Sequence, residues 1–548
     1  MAHKIGRGIR YRHLPLRNHD SIRLLRLSPG LSFHGKIHVK LSEVSLSNLP
    51  AYEALSYAWG AETPGSTVYC DGKELLVTEN CVDALRQLRY KWHSRTEKRA
   101  RVLQGNDWGP LAVLGSICGR PWFTRKWTVQ EYVLSRNAYF LCGGKTIEAS
   151  ILFEMFEFLI LWRIFRGGEP TYNQPLFPGF SEYLVNFSRL KKGIEESDSK
   201  LDISITAFLG YGRFQVATNP KDAVYGLYGI LQKASKVMPP PDYSKPVETV
   251  FIEAAKLAII QDHSLRILLQ TSESQQGSSL PSWVPDWSTR GSQAFELLEL
   301  SPFCASGNAI TRFKFVENGN MLRVQGCFVD TITRCAELHI ETEPDSFKDN
   351  AAYREWITIA NTLHKYPTGE SLRRAFFSTI YHLCNVHDHM EYSKDSSEYV
   401  LLMGFELWLQ AHWQGITTVT TAGAQVQNEQ PQELLSTTWG KSKLEESLDG
   451  SAFQEMVTNQ DACTFNDSAK IYCRETGFFV TTAGYMGKGL IEAKEGDLVA
   501  LIAGVETPMV LRKEGEYYRS KGPCHVHGLM LGEKWLEDEN NLVDILLR

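Results

Sequence analysis

From Phe478 to Leu531 the chain reads FFVTTAGYMGKGLIEAKEGDLVALIAGVETPMVLRKEGEYYRSKGPCHVHGLML. Short apolar runs are cut by glycines at close intervals. A helix needs apolar residues recurring every three or four positions over a longer span, and glycine inside one costs about 1 kcal/mol relative to alanine. Short runs between glycine turns are instead the pattern of a small barrel or sandwich. A compact all-β unit is therefore expected over 451–548. Before it, the Thr-, Gln- and Ala-rich stretch over 421–450 reads as a low-complexity linker or mobile loop.

Upstream the pattern changes. Residues 233–420 read as a mainly helical region, opened by the prolines Pro239, Pro240 and Pro241. Its clearest helix is PVETVFIEAAKLAII, with Val250, Ile252, Ala255, Leu257 and Ala258 at helical spacing. The first part alternates strand-like and helix-like pieces. SIRLLRL and KIHVKLSEV have strand character, and YEALSYAWG reads as a strand ending at Gly60. Asp71-Gly72 between two apolar runs signals a hairpin. ENCVDALRQLRYKW follows as a helix with Val82, Leu85 and Leu88 on one face. Val129 to Leu134 should be helical, and NAYFLCGGKTI a strand followed by a Gly-Gly turn.

Composition excludes some classes. A net charge of −5 over 548 residues leaves no basic footprint for nucleic acid or an anionic membrane. The longest apolar stretch, Ile151 to Phe165, is broken by Glu154, Glu157 and Arg163. It is too short to span a bilayer and reads as a buried or amphipathic helix. Eleven cysteines without framework spacing fit free thiols in a reducing cytosol. The basic start, MAHKIGRGIRYRHL, has no apolar core of a secretory signal.

The densest segment is RPWFTRKWTVQE, Arg120 to Glu131. Together with YEALSYAWG, ATNPKDAVYGLYGIL, PDYSKPVETVF, LPSWVPDWS and GDLVALIAGVETPMVLR…HVHGLMLGE, in that order, it resembles the fungal heterokaryon-incompatibility (HET) domain proteins. The resemblance runs from about residue 10 to about residue 535. It implies a cytoplasmic role in nonself recognition and programmed cell death. It also implies that residues 1–232 form a HET domain similar to Toll/interleukin-1-receptor-like (TIR) domains, an α/β fold with a flavodoxin-like open sheet. Members usually carry a further strand and helix before RPWF. Residues 92–120 run through without them, so an incomplete sheet is expected.

Many TIR-like domains cleave NAD with a helix-borne glutamate, and W-x-x-x-E at Trp127 to Glu131 resembles that helix. By this resemblance Glu131 is the candidate catalytic carboxylate, with NAD as substrate and no cofactor. Breaking the nicotinamide–ribose bond passes through an oxocarbenium-like state, which a partly buried carboxylate stabilises. Trp127, one turn before Glu131, would wall the pocket. Ser56, Trp59 and Gly60 would lie at a ligand-binding strand end, and Arg120 would meet phosphate. The structural alternative is that Glu131 pairs with Arg125 or Lys126 while Trp122, Phe123 and Trp127 form core, as do Tyr52 and Leu55. A non-enzymatic signalling or scaffold protein that self-associates or binds a partner protein is the competing function. An accessory role in a secondary-metabolite pathway is a third.

Other motifs carry less. Asp222 sits where a first helical turn favours negative charge, so a capping or salt-bridge role is expected. LPSWVPDW is a rigid aromatic corner. CGGKT lacks the glycine of a phosphate-binding loop. His382 to His389 and the pair His525 and His527 match no zinc spacing, and no metal is expected.

Overall fold

The structure is a computed structural model. It describes residues 9–30, 32, 34–57, 63–91, 117, 120–142, 145–165, 188, 190–194, 204–271, 279–289, 303–336, 351–381, 404–405, 408–409, 465–466, 469, 473, 476–490, 493–536 and 539–548. Two compact units, Met1–Leu152 and Phe153–Arg548, divide the chain.

In the first unit, strands β1 (Ser21–Leu27), β2 (His38–Ser45), β3 (Ser66–Cys70) and β4 (Lys73–Val77) form one sheet in that order. The β3–β4 turn places Asp71 at φ 49° and Gly72 at φ 77°. Two left-handed residues in a row make the tight turn that matches strand twist, which is why Asp-Gly stands there. Helix α1 (Glu79–Lys91) packs Val82 and Leu85 into a core of Ile37, Val39, Val68 and Cys70. Its Arg89 is buried and donates to the carbonyls of Ser32, Gly35 and Lys36 at 2.8, 3.0 and 2.7 Å, tying the loop before β2 to the helix. Short helices α2 (Pro121–Thr124) and α3 (Lys126–Val133) follow, then the hairpin β5 (Tyr139–Cys142) and β6 (Lys145–Glu148) and the start of α4 (Ala149–Phe165).

Two expectations change here. A flavodoxin-like sheet is parallel, but in this sheet only β2–β3 is parallel, and β1–β2 and β3–β4 are antiparallel. The short β3–β4 connection enforces an antiparallel pair, and the helix comes after β4 rather than between paired strands. Tyr52 to Tyr57, expected as a strand, has no regular secondary structure. Tyr52 and Leu55 are exposed at 53% and 40%, not core. Alternating apolar residues form a strand only beside a neighbour that takes their backbone hydrogen bonds.

The second unit begins its described core with α5 (Ile205–Tyr211), α6 (Asp222–Tyr225), α7 (Tyr228–Lys233) and α8 (Val247–Asp262). Helix α8 buries Val250, Phe251, Ala254, Ala255, Ala258 and Ile259, while Ile252 and Leu257 are half-buried. Its last residue, Asp262, reaches α5, accepting from the Ile205 and Thr206 amides at 2.9 and 2.8 Å and from the Ser204 hydroxyl. Two amides without partners inside α5 are thereby satisfied, and the negative charge sits where the helix dipole favours it.

The region expected to be mainly helical also contains β7 (Phe313–Val316) and the long β8 (Met321–Cys335), ahead of helices α9 (Ala351–Ala360) and α10 (Leu372–Tyr381). The C-terminal run supplies β9 (Thr476–Thr481), β10 (Met486–Leu490), β11 (Leu498–Ile502), β12 (Met509–Glu514), β13 (Tyr517–Pro523), β14 (His525–Val526) and β15 (Val543–Leu547). The pairings β8–β11–β12–β13–β15 return to β8, so these five strands close into a small barrel, and β8 continues into β9, β10 and β14. A Cβ at Gly326 would run into the Leu501 carbonyl, so only glycine lets β8 and β11 approach this closely. The LPSWVPDW corner buries Leu280, Trp283, Val284, Pro285 and Trp287 and leaves Pro281, Ser282 and Asp286 half-buried. Trp283 donates its indole N–H to the Asn320 carbonyl at 3.2 Å and Trp287 to Gln270 Oε1 at 3.3 Å.

The 421–450 stretch and His382 to His389 lie outside the described residues. Among the described residues no helix is long and apolar enough to cross a membrane. The eight described cysteines are all free thiols.

Candidate functional site

Proline at the first position starts α2, where its missing N–H leaves no bond unmade. Arg125 then turns extended (φ −87°, ψ 137°) and ends the helix. The Thr128 hydroxyl donates toward the carbonyls of Arg125 at 2.7 Å and Trp122 at 3.0 Å, bracing the break before α3. Because of this break, Trp122 and Arg125 both reach one short segment. The Trp122 indole donates to Ser56 Oγ at 2.7 Å, and the Arg125 guanidinium donates to the Tyr57 carbonyl. The Trp122 ring meets Phe123 and Phe140 edge-on at 5.0 and 4.9 Å, and Phe123 stacks on Phe140 at 5.3 Å. Burial pushes the Tyr57 phenol well above its ordinary range, the Cys81 thiol of α1 adds to the shift, and Arg125 opposes it.

The expected site residues are therefore distributed as follows. Ser56 is half-buried and bonded to Trp122. Arg120 is exposed at the start of α2 and makes no side-chain cap. Trp127 is half-buried and Glu131 is exposed one turn later on α3, whereas Lys126 beside them is 1% exposed. Trp59 and Gly60 lie outside the described residues. Ser56 is brought onto the RPWF segment through Trp122, a residue that only the structural alternative singles out, as core. An indole five residues before Trp127 carries no local mark of that bond, since its partner stands 66 residues earlier.

Two further motifs meet in the second unit. Asp222, in the first turn of α6, accepts from the Tyr243 hydroxyl at 2.6 Å, and Lys221 donates to the Tyr243 carbonyl at 2.7 Å. Tyr225 donates to the Asp242 carbonyl at 3.0 Å. Thus KDAVYGLYG and PDYSKP are docked together, and Asp222 serves that docking through Tyr243 where a helix cap or salt bridge was expected. Burial, with Asp222 adding, raises the Tyr243 phenol above its usual range.

A third cluster was not expected. His527 Nε2 lies 2.7 Å from Glu370 Oε1, the Thr368 hydroxyl donates to the same oxygen at 2.6 Å, and Tyr366 donates to the His527 carbonyl at 2.7 Å. Tyr366 also stacks on the imidazole at 5.7 Å. Burial pushes the Glu370 carboxyl up, but the His527 ring, Thr368 and Arg374 outweigh it and hold the carboxyl below its ordinary range. His525, two residues before His527, is fully buried against Phe303, 5.7 Å between ring centres. Burial and the nearby Lys488 keep its imidazole neutral, with its pKa well below the usual histidine value.

Comparison with known proteins adds one relation. The chain is similar to a heterokaryon incompatibility protein. That relative, heterokaryon incompatibility protein 6, OR allele, of Neurospora crassa, is 30% identical over 207 residues. The match covers 32% of this chain and 29% of the relative, so the chain spans under a third of that protein's length. No family model matches the chain. No solved structure matches it either.

Proposed function

We propose that this chain is a heterokaryon-incompatibility-type protein acting in fungal nonself recognition, with cell death as the output. The similarity to the Neurospora crassa protein supports this reading, because that protein is named for heterokaryon incompatibility. For the mode of action, the described geometry favours signalling by association over NAD cleavage. A catalytic carboxylate works through a partly buried, water-poor setting, whereas Glu131 is exposed. The Ser56 hydroxyl accepts from Trp122, and Arg125 holds the Tyr57 carbonyl. These groups serve to clamp one segment of the first unit.

Two experiments test the parts separately. Deleting the gene from a fungal strain and forcing heterokaryons with a panel of natural isolates should rescue viability in at least one incompatible pairing. If deletion alters no pairing, the recognition role fails. For the mode of action, purified full-length protein, free or artificially clustered, is expected to leave NAD intact. NAD consumption that disappears in Glu131→Ala would overturn the association reading and install the enzymatic one.

A further inference from the structure

Two polar groups converge on one carbonyl at the C-terminal end of α10. The Ile380 carbonyl belongs to the last helical turn, where C=O groups have no partner within the helix. Lys488 of β10 donates to it at 2.7 Å, and the Cys473 thiol points to it at 3.9 Å. Lys488 Nζ and Cys473 Sγ are themselves 3.8 Å apart. The Tyr353 phenol opposes the effect of burial on that thiol. Lys488 is 1% exposed, and Cys473 and Tyr353 are 0% exposed.

A lysine that caps a helix accounts for the bond to Ile380. It does not account for a thiol at the same carbonyl in contact with the amine. Burial drives both groups toward their neutral forms. It lowers the lysine to about 8, with the thiol opposing, and pushes the cysteine above its ordinary range. His525, paired with Lys488 across the β10–β14 ladder, adds no competing negative charge. A share of the amine therefore carries a free lone pair near neutral pH, next to an oxidisable sulfur.

We propose that Cys473 and Lys488 are the two ends of a reversible oxidative cross-link, formed when a peroxide oxidises the thiol. Hydrogen peroxide transfers one oxygen to the sulfur, giving a sulfenic acid and one water, so sulfur is oxidised by two electrons and the peroxide reduced by two. The Lys488 nitrogen then attacks sulfur, forming an N–S bond. The hydroxyl leaves with a proton from nitrogen as a second water. A thiol reductant reverses the link by attacking sulfur, and the amine departs with a proton. A second thiol then frees Cys473 and becomes a disulfide. The product is a sulfenamide that ties β10 to residue 473. Because burial disfavours the thiolate, formation is slow and needs excess oxidant. The inference is independent of the recognition role proposed above.

Full-length protein is treated with excess hydrogen peroxide, both natively and in guanidinium, then alkylated, digested and analysed by mass spectrometry. The native sample should contain linked peptides carrying Cys473 and Lys488, lighter than their sum by two hydrogen atoms. Thiol treatment should remove that species, and the guanidinium sample should lack it. Lys488→Gln should abolish it and increase sulfinic acid at Cys473. Should that variant fail to fold, the wild-type digest decides by itself. Recovery of Cys473 only as alkylated thiol or as sulfinic or sulfonic acid overturns the proposal. So does a linkage equally abundant in guanidinium.

Discussion

Trp122 shows how one side chain can hold a segment that has no secondary structure of its own. Its indole fixes Ser56 while its ring packs edge-on against the stacked pair Phe123 and Phe140. Trp122→Phe keeps most of the packing and loses the hydrogen bond, which should cost about 1 kcal/mol in urea unfolding. Trp122→Ala loses both and should cost about 3–5 kcal/mol. Glu131→Ala removes an exposed side chain, and unfolding should change by no more than about 0.5 kcal/mol. A larger loss would mean that Glu131 is held by partners it does not show. Glu370 behaves differently. Its carboxyl is held below the ordinary range in the folded state. The stability it contributes is therefore complete above the unfolded value of about 4.3 and lost as pH falls through the lower folded value. Glu370→Gln should cost about 1.5–3 kcal/mol at pH 7. The gap from wild type should close progressively in thermal unfolding below pH 4.3 or so. A gap independent of pH would rule this out.

Individual elements were mostly legible because their signals are local. The Asp71-Gly72 hairpin, α1, α3, β5 and α8 all stand where residue spacing and turn chemistry place them. What each element touches was not legible. Helix α8 was evident from its apolar face, but the service of its terminal Asp262 to α5, 56 to 58 residues earlier, was not. Asp262→Ala leaves the Ile205 and Thr206 amides and the nearby Lys236 without that carboxylate. The loss should be about 1–3 kcal/mol. Hydrogen exchange should accelerate first at the amides of residues 205–209, and unchanged exchange there would exclude the capping role. YEALSYAWG illustrates the opposite failure. Its alternation suits a strand, yet side chains from α2 and its flank, not a β-ladder, hold Ser56 and Tyr57.

At the scale of the whole molecule, the second unit depends on pairings between distant parts of the chain. Strand β8 pairs with β11 and β15, and both partners lie far downstream. Gly326 permits the approach that closes the barrel. Gly326→Ala should destabilise the protein by about 1–3 kcal/mol through overpacking. It should also weaken amide protection in β11 before it does so in β12. Equal protection in both strands would show that closure does not rest on this contact. Long-range pairing of this kind must overcome loop-closure entropy before it is stabilising, which makes the barrel late to form.

Taken by itself, the sequence determined that the tail is β-rich, that Asp71-Gly72 is a turn, that α1 and α8 are helices with defined apolar faces, and that the chain resembles heterokaryon-incompatibility proteins. These follow from spacing, turn residues and motif order, which are properties of neighbours along the chain. Only the tertiary structure decided that β7 and β8 join the tail's sheet, that the first sheet is largely antiparallel, and that Tyr52 and Leu55 face solvent. It also decided that Glu131 is exposed while Lys126 beside it is buried. The physical reason is that burial and partnership depend on what packs from elsewhere. Glu370 and His527 stand 157 residues apart and meet within hydrogen-bond distance, and no local pattern encodes such a meeting.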